Sequence, residues 1–261
     1  MNSANQSAAE TSYALTPARS PMVAVVNATP ASVGPASAGL SQGYPESRVW
    51  TLLDDRLVSD AEAAGGLTPS LTQRMLVLID YAVAGGADAI LLACSMYGPV
   101  VELARTRHTG TPMLSSDEAL FSRIIEDDVR SILLLGPLPR AVQDSTTRLR
   151  AALDAAGSQT QIRARAVSGA PAATKNGDMH ALEQLLIAEA QPYLGHVDAI
   201  VLGNFSIAPA QAAVAAATGL PVLSPTLLAA NALREQVNTI AETHVETRKD
   251  TNSANRRTRT S

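Results

Sequence analysis

The chain predicts an α/β protein built from two pseudo-symmetric, doubly wound parallel-sheet halves, with the active site in the cleft between them. Three observations predict this. Strand-like and helix-like segments alternate along the body of the chain, the pattern of parallel sheets covered on both faces. Three segments recur in order at one shared spacing of about 110 residues. Of 261 residues, 46% are apolar and 17% charged, which is the composition of a globular core. Aromatics are only 3%, so that core must be made of Ala, Leu, Val and Ile.

Met22–Val26 (MVAVV) is a buried-strand run. Pro69–Val83 has helical spacing, with Leu71, Met75, Leu78 and Ile79 on one face. Asp88–Ala93 (DAILLA) is the next strand, followed by a helix over Gly98–Thr106 and a short strand at Pro112–Leu114. A helix over Ser116–Glu126 takes Ser115 or Ser116 as N-cap, with Glu118 in its first turn. The second series comprises a strand at Ile132–Leu135, a helix at Arg140–Ala155 and a strand at Gln161–Ala166. A helix at Asp178–Tyr193, a strand at Asp198–Leu202 and a helix at Ala208–Ala217 follow. A strand at Pro221–Leu223 and a helix at Pro225–Glu242 complete it.

The repeat aligns ADAILLACSMYGPVVELA from Ala87 with VDAIVLGNFSIAPAQAAVA from Val197. It aligns TPMLSSDEAL from Thr111 with LPVLSPTLLA from Leu220, and MVAVV from Met22 with ILLLG from Ile132. The halves are accordingly bounded at 21–130 and 131–240. Residues 1–20, rich in Ser, Ala, Asn and Thr, read as a disordered tail. Residues 241–261, ending in RRTRTS, read as a second tail: a solvated end, or a basic one able to touch an acidic surface.

Net charge is −4 with no basic stripe in the body, so nucleic acid is not an expected partner. No apolar run reaches bilayer-spanning length, and the first residues lack the apolar stretch of a signal peptide. A single cysteine, Cys94, has no internal disulfide partner, which fits a cytoplasmic chain with a reduced thiol. No phosphate-loop pattern and no nucleophile elbow occur. His180 and His196 have no neighbour at metal-ligand spacing and read as surface residues, so no metal or other cofactor is expected.

Ligands of open α/β sheets bind at the carboxyl ends of the strands. Asn27 and Thr29 follow the first strand, Cys94, Ser95, Met96 and Tyr97 follow DAILLA, and Asn204, Phe205 and Ser206 follow DAIVLG. The repeat puts Cys94 and Asn204 at equivalent positions, so they should view one bound molecule from opposite sides. Cys94 also precedes a predicted helix, whose amino end favours thiolate, and Ser95 with the first amides there can bind a carboxylate. A buried structural cysteine is the alternative. Asn27 and Thr29 either bind substrate or shape their turn. Asp54 and Asp55 read as an exposed turn, the alternative being a buried carboxylate reaching the cleft.

On GADAILLACSMYG, PMLSSDEAL, VDAIVLGNFS and PVLSP, the sequence resembles the aspartate/glutamate racemase superfamily. That superfamily includes hydantoin racemases, maleate isomerases and arylmalonate decarboxylases. The likeness covers about residues 21–240. It implies two pseudo-symmetric halves, an active site between them, and chemistry without metal, pyridoxal or nucleotide. Racemases of the family use one cysteine from each half as acid and base. Cys94 matches the first, but the second position is Asn204, whose amide cannot trade a proton at neutral pH. LGPLPRA after the Ile132 strand also lacks the Thr or Tyr that many relatives carry there. Arylmalonate decarboxylase keeps the second-half cysteine, whereas maleate isomerase uses the first as a nucleophile, which fits Cys94 better.

The resemblance implies a cofactor-independent isomerase acting on a small carboxylate or carbonyl compound, with Cys94 as nucleophile or base. Asn27, Thr29 and amides near Ser95 and Asn204 would hold the oxyanion. Two other functions stay open: a decarboxylase or other lyase that protonates from one face, and a non-catalytic small-molecule sensor. A homo-oligomer is expected, because exposed helices of Ala/Leu-rich α/β domains often pair.

Overall fold

The computed structural model describes residues 19–258, with side chains to residue 243. The first half opens with β1 (Met22–Asn27), α1 (Val33–Gly43), β2 (Arg48–Leu53), α2 (Leu57–Ala63) and α3 (Pro69–Ala84). It closes with β3 (Ala89–Leu92), α4 (Val100–Arg107), β4 (Met113–Ser115) and α5 (Glu118–Glu126). The second half runs β5 (Ser131–Gly136), α6 (Pro139–Ala155), β6 (Gln161–Ala166), α7 (Ala170–Asn176) and α8 (Met179–Ala190). It ends with β7 (Ala199–Leu202), α9 (Gln211–Thr218), β8 (Val222–Leu223) and α10 (Pro225–Thr258). The two four-stranded sheets have matching orders, β2-β1-β3-β4 and β6-β5-β7-β8. Every strand pair is parallel. The fold is therefore the expected pair of doubly wound α/β halves.

Strand alternation distributes the core. Ala24 and Val26 of β1 face the layer of α2, α3 and α4, while Val23 and Val25 face the other way. In β5, Leu133 and Leu135 face α7, α8 and α9, while Ile132 and Leu134 turn to the opposite layer. Those opposite layers cross between the halves. Leu120, Phe121 and Ile124 of α5 pack on β5 and β7, although α5 closes the first half in sequence. Ala229, Ala230 and Leu233 of α10 pack on β1 and β3, although α10 closes the second. Each sheet thus buries one face under the other half's last helix. At roughly 1.5–3 kcal/mol for each large apolar side chain buried, this exchange holds the halves together.

Four elements escape the sequence pattern, the short α2 among them. β2 alternates Trp50 and Leu52 inward with Val49, Thr51 and Leu53 outward, at a sheet edge with one bare face. α1, with sequence VGPASAGLSQG, has poor intrinsic helix propensity. Its Gly39 and Gly43 sit where a Cβ would lie 2.7 Å from the Thr226 carbonyl oxygen and 2.7 Å from Asn231 Oδ1 of α10. Close approach of the two helices, not local preference, placed glycine there. α7 is a short helix bracketed by left-handed Gly169 and Gly177.

Boundaries shift too. The helix expected from Gly98 starts at Val100, behind a 3-10 turn at Ser95–Tyr97. α5 starts at Glu118, two residues late, and Ser115 and Ser116 do not cap it; instead Glu118 Oε1 accepts from the Ser115 amide at 3.0 Å. α10 continues to Thr258, through the segment from 241 that the sequence reads as a tail. Extending a packed helix adds one hydrogen bond per residue without a new nucleus. Residues 259–261 lie outside the described residues. So does the amino-terminal tail apart from Arg19 and Ser20, and Arg19 pairs with Asp88 at 2.6 Å. No described helix is long and apolar enough to cross a membrane.

Candidate active site

A cleft of about 840 Å³ opens where the carboxyl ends of both sheets meet. Its floor is Ala93–Met96 beyond β3, facing Asn204, Phe205 and Ser206 beyond β7. One wall carries Thr29–Ser32 and the α2 residues Val58, Ser59 and Glu62, with Asp55 beside them. The lining continues through Pro137, Leu138 and Ala141, with Thr174, Lys175 and Asn176 of α7. Lys175 supplies the cationic side chain of this lining, and Asp55 and Glu62 the anionic ones.

Cys94 is half-buried on the floor, in extended backbone ahead of the 3-10 turn. The sequence expectation of a favoured thiolate is corrected. Burial pushes the thiol up to about 11, against the hydrogen bonds of the Tyr97 and Met96 amides. Nearby Asp117 adds to the rise and Arg148 opposes it. A single 3-10 turn offers two amides but no long helix dipole, and loss of water around the sulfur outweighs them. Cys94 therefore rests as a protonated thiol at neutral pH, able to give a proton before it can take one.

The repeat brings Cys94 and Asn204 to one cleft. Asn204 Nδ2 donates to Ser95 Oγ at 2.7 Å, so the amide bonds to the residue next to the thiol. Ser95, Met96 and Phe205 are buried yet line the floor, and Ser206 is half-buried beside them. Thr29 also lines the cleft, with its hydroxyl accepting from the Ala31 amide at 3.4 Å.

Two expected contact residues lie elsewhere. Asn27 is wholly buried; its Nδ2 donates to the Val25 and Leu52 carbonyls at 3.1 and 3.2 Å, and its Oδ1 accepts from Ser32 at 2.8 Å. Those bonds tie β1 to β2 and shape the turn. Tyr97 is also wholly buried, donating to the Leu57 carbonyl at 2.8 Å, and so pins α2 under the site. Asp54 forms a two-point pair with Arg74, at 2.5 and 2.6 Å, while exposed Asp55 reaches the rim. His180 and His196 are exposed, as expected.

Sequence reading missed Asp117, Arg148 and Lys175. Asp117 stands inside the repeated segment PMLSSDEAL, so position alone pointed to the strand end. Arg148 and Lys175 sit on helices whose partners are distant in sequence, and no local pattern marks them.

Residues 9–233 match the family described as Asp/Glu/Hydantoin racemase. A comparison with curated proteins finds no matching sequence. Among solved structures, the aspartate racemase of Picrophilus torridus is similar at 14% identity and a TM-score of 0.66, covering 84% of this chain and 94% of that one. The allantoin racemase of Klebsiella pneumoniae is 17% identical, with a TM-score of 0.62 over 84% of this chain and 89% of its own. A glutamate racemase of Francisella tularensis is 11% identical, with a TM-score of 0.66 over 85% and 83%. At such identities these likenesses speak for the fold. The family match spans nearly all of both halves, and with it this chain belongs to the Asp/Glu/Hydantoin racemase family, a family of enzymes.

Proposed function

We propose that the protein is a cofactor-independent isomerase of a small carboxylate or carbonyl compound, with Cys94 as the reacting group. The observation that carries this reading is one thiol on the floor of a two-sided cleft, faced by an amide where a second thiol would complete a two-base pair. Lys175 and the hydroxyls of Thr29 and Ser206 suit an anionic substrate group, and Asp55 and Glu62 suit a donor or cationic group. The cleft is large enough for such a molecule several times over, so orientation falls to these polar groups. As the finer parts of this reading, the protein works in the cytoplasm, as a homo-oligomer, on small molecules rather than nucleic acid or membrane.

Cys94→Ser tests the reading. Serine keeps nearly the same size, but its hydroxyl is a far weaker acid and nucleophile than the thiol. Turnover should fall by about a hundredfold or more with the melting temperature nearly unchanged. Activity within a few-fold of the parent would reject Cys94 as the reacting group.

A second reading, decarboxylation or another lysis with one-sided protonation, is favoured by the protonated resting state of Cys94 opposite Asn204. A neutral thiol suits the capture of a carbanion. Release of carbon dioxide, with a single solvent deuteron placed on one face of the product, would identify that reaction in place of isomerisation.

A further inference from the structure

Ser95, the residue after Cys94, is held from the second half at two points. Asn204 Nδ2 reaches Ser95 Oγ, and Arg148 Nη2, from the middle of α6, donates to the Ser95 carbonyl at 2.7 Å. The same guanidinium meets Asp117 at both oxygens, at 2.7 and 2.5 Å. Asp117 has no exposed side-chain surface and also accepts from the hydroxyls of Ser115 and Ser145, at 3.1 and 3.4 Å. The guanidinium carbon stands 5.7 Å from the centre of the Phe121 ring. Arg148 Nε is buried without a partner among the described residues, so the fork is turned to Asp117 and Ser95. Gly98 leaves it room: a Cβ there would lie 2.6 Å from Nη1.

Stability alone does not account for this arrangement. A buried ion pair can often be exchanged for apolar side chains of similar size at no loss, since desolvation offsets most of the attraction. What an apolar pair cannot do is hold a particular carbonyl.

We propose that Arg148, oriented by Asp117, is a positioning residue that fixes the Ser95–Met96 peptide through the Ser95 carbonyl and, with Ser95 held next to Cys94, places the Cys94 thiol relative to Asn204. It touches no reacting atom. The proposal rests on Cys94 being the reacting group. Lysine is no substitute, because one ammonium cannot grip both carboxylate oxygens and the carbonyl in a fixed plane. Freeing Ser95 from this grip would admit water to the sulfur, whose burial is the main cause of the raised thiol, while the Arg148 charge itself acts to lower it. The other charged groups lining the cleft are Asp55, Glu62 and Lys175.

Iodoacetamide alkylation of the sole cysteine, followed by mass from pH 7 to 11, tests this. The variants are Arg148→Lys and the double Arg148→Met with Asp117→Asn, which leaves neither charge uncompensated. Melting temperatures confirm folding. Releasing the peptide should move the inflection from near 11 towards about 8.5, the value of a solvated thiol. In the double variant, alkylation at pH 8 should rise at least about tenfold, as each pH unit of that change gives ten times more thiolate. Arg148→Lys, which keeps the charge, should show at least about a threefold rise on the same argument, and it decides alone if the double variant does not fold. In both, kcat should fall at least about tenfold, with KM changed less than about threefold, the mark of lost alignment rather than lost binding. Alkylation profiles and kcat within twofold of the parent in a folded variant would overturn the proposal. Failure of the Cys94 reading would show separately, as a Cys94→Ser variant that keeps its turnover.

Discussion

Asn204 has two amide protons, and one points at Ser95 Oγ. Neither can be traded at neutral pH. Cys94 on the facing strand end can trade its own, and burial keeps it protonated until well above neutrality. Two-base racemisation needs a proton partner on each face of the reacting carbon. One partner is worth roughly a hundred- to ten-thousand-fold in rate. The parent protein should therefore label a substrate from deuterated water with one stereochemistry. Asn204→Cys should raise true racemisation by at least about tenfold, since it restores the missing partner. Equal label in both enantiomers from the unmodified protein would show that another residue supplies the second proton. Asn27 teaches the converse lesson at this scale. Its position after β1 looked like a contact residue, yet every bond found for it turns inward, because a buried amide must be satisfied and the β1–β2 turn offered the partners.

Among the elements, α1 is the one whose existence depends most on something distant. Gly39 meets the Thr226 backbone and Gly43 meets Ala230 and Asn231. Gly34, in the same helix, has nothing within 4 Å of a Cβ position. Gly39→Ala gains up to about 1 kcal/mol of helix propensity, but its methyl would enter a carbonyl at 2.7 Å. Overpacking of this kind costs about 1–3 kcal/mol and should win. The melting temperature should fall by about 2–8 °C, whereas Gly34→Ala should leave it unchanged or slightly higher. A Gly39→Ala variant as stable as the Gly34→Ala variant would show that α1 and α10 have room to separate. The same reasoning explains why the strands were legible and this helix was not. MVAVV and DAILLA announce themselves by their own burial. VGPASAGLSQG has small residues because α10 lies against them, and α10 is far along the chain.

For the whole molecule, the exchange of α5 and α10 makes the cleft a property of the assembled halves. Each sheet has its inner face covered by a helix of the other, so opening the cleft by separating the halves would expose Leu120, Phe121 and Ile124 together with Leu233. Unfolding should be a single transition for that reason. The outer surface differs between halves: among the described residues, Val49, Leu53, Val77, Tyr81 and Leu103 are exposed large apolar side chains of the first, and Met179 of the second. Apolar exposure on one side suits pairing of two copies through their first halves. Light scattering at micromolar concentration should give twice the chain mass, and Tyr81→Glu should reduce it to the mass of one chain. A monomeric parent would end the expectation of a homo-oligomer.

By itself, the sequence determined the two α/β halves, the places of their main strands along the chain, and the strand ends that carry Cys94, Ser95 and Asn204. Buried parallel strands write their own apolar runs, and a repeated segment carries its position with it. Only the tertiary structure decided which helix covers which sheet, that Asn27 and Tyr97 turn away from the cleft, and that Lys175 of the unmarked α7 turns into it. It also decided the protonation of Cys94 and the grip of Arg148 on Ser95. Dehydration of a sulfur and the reach of a guanidinium depend on groups brought together from both halves, and no local pattern in the chain records them.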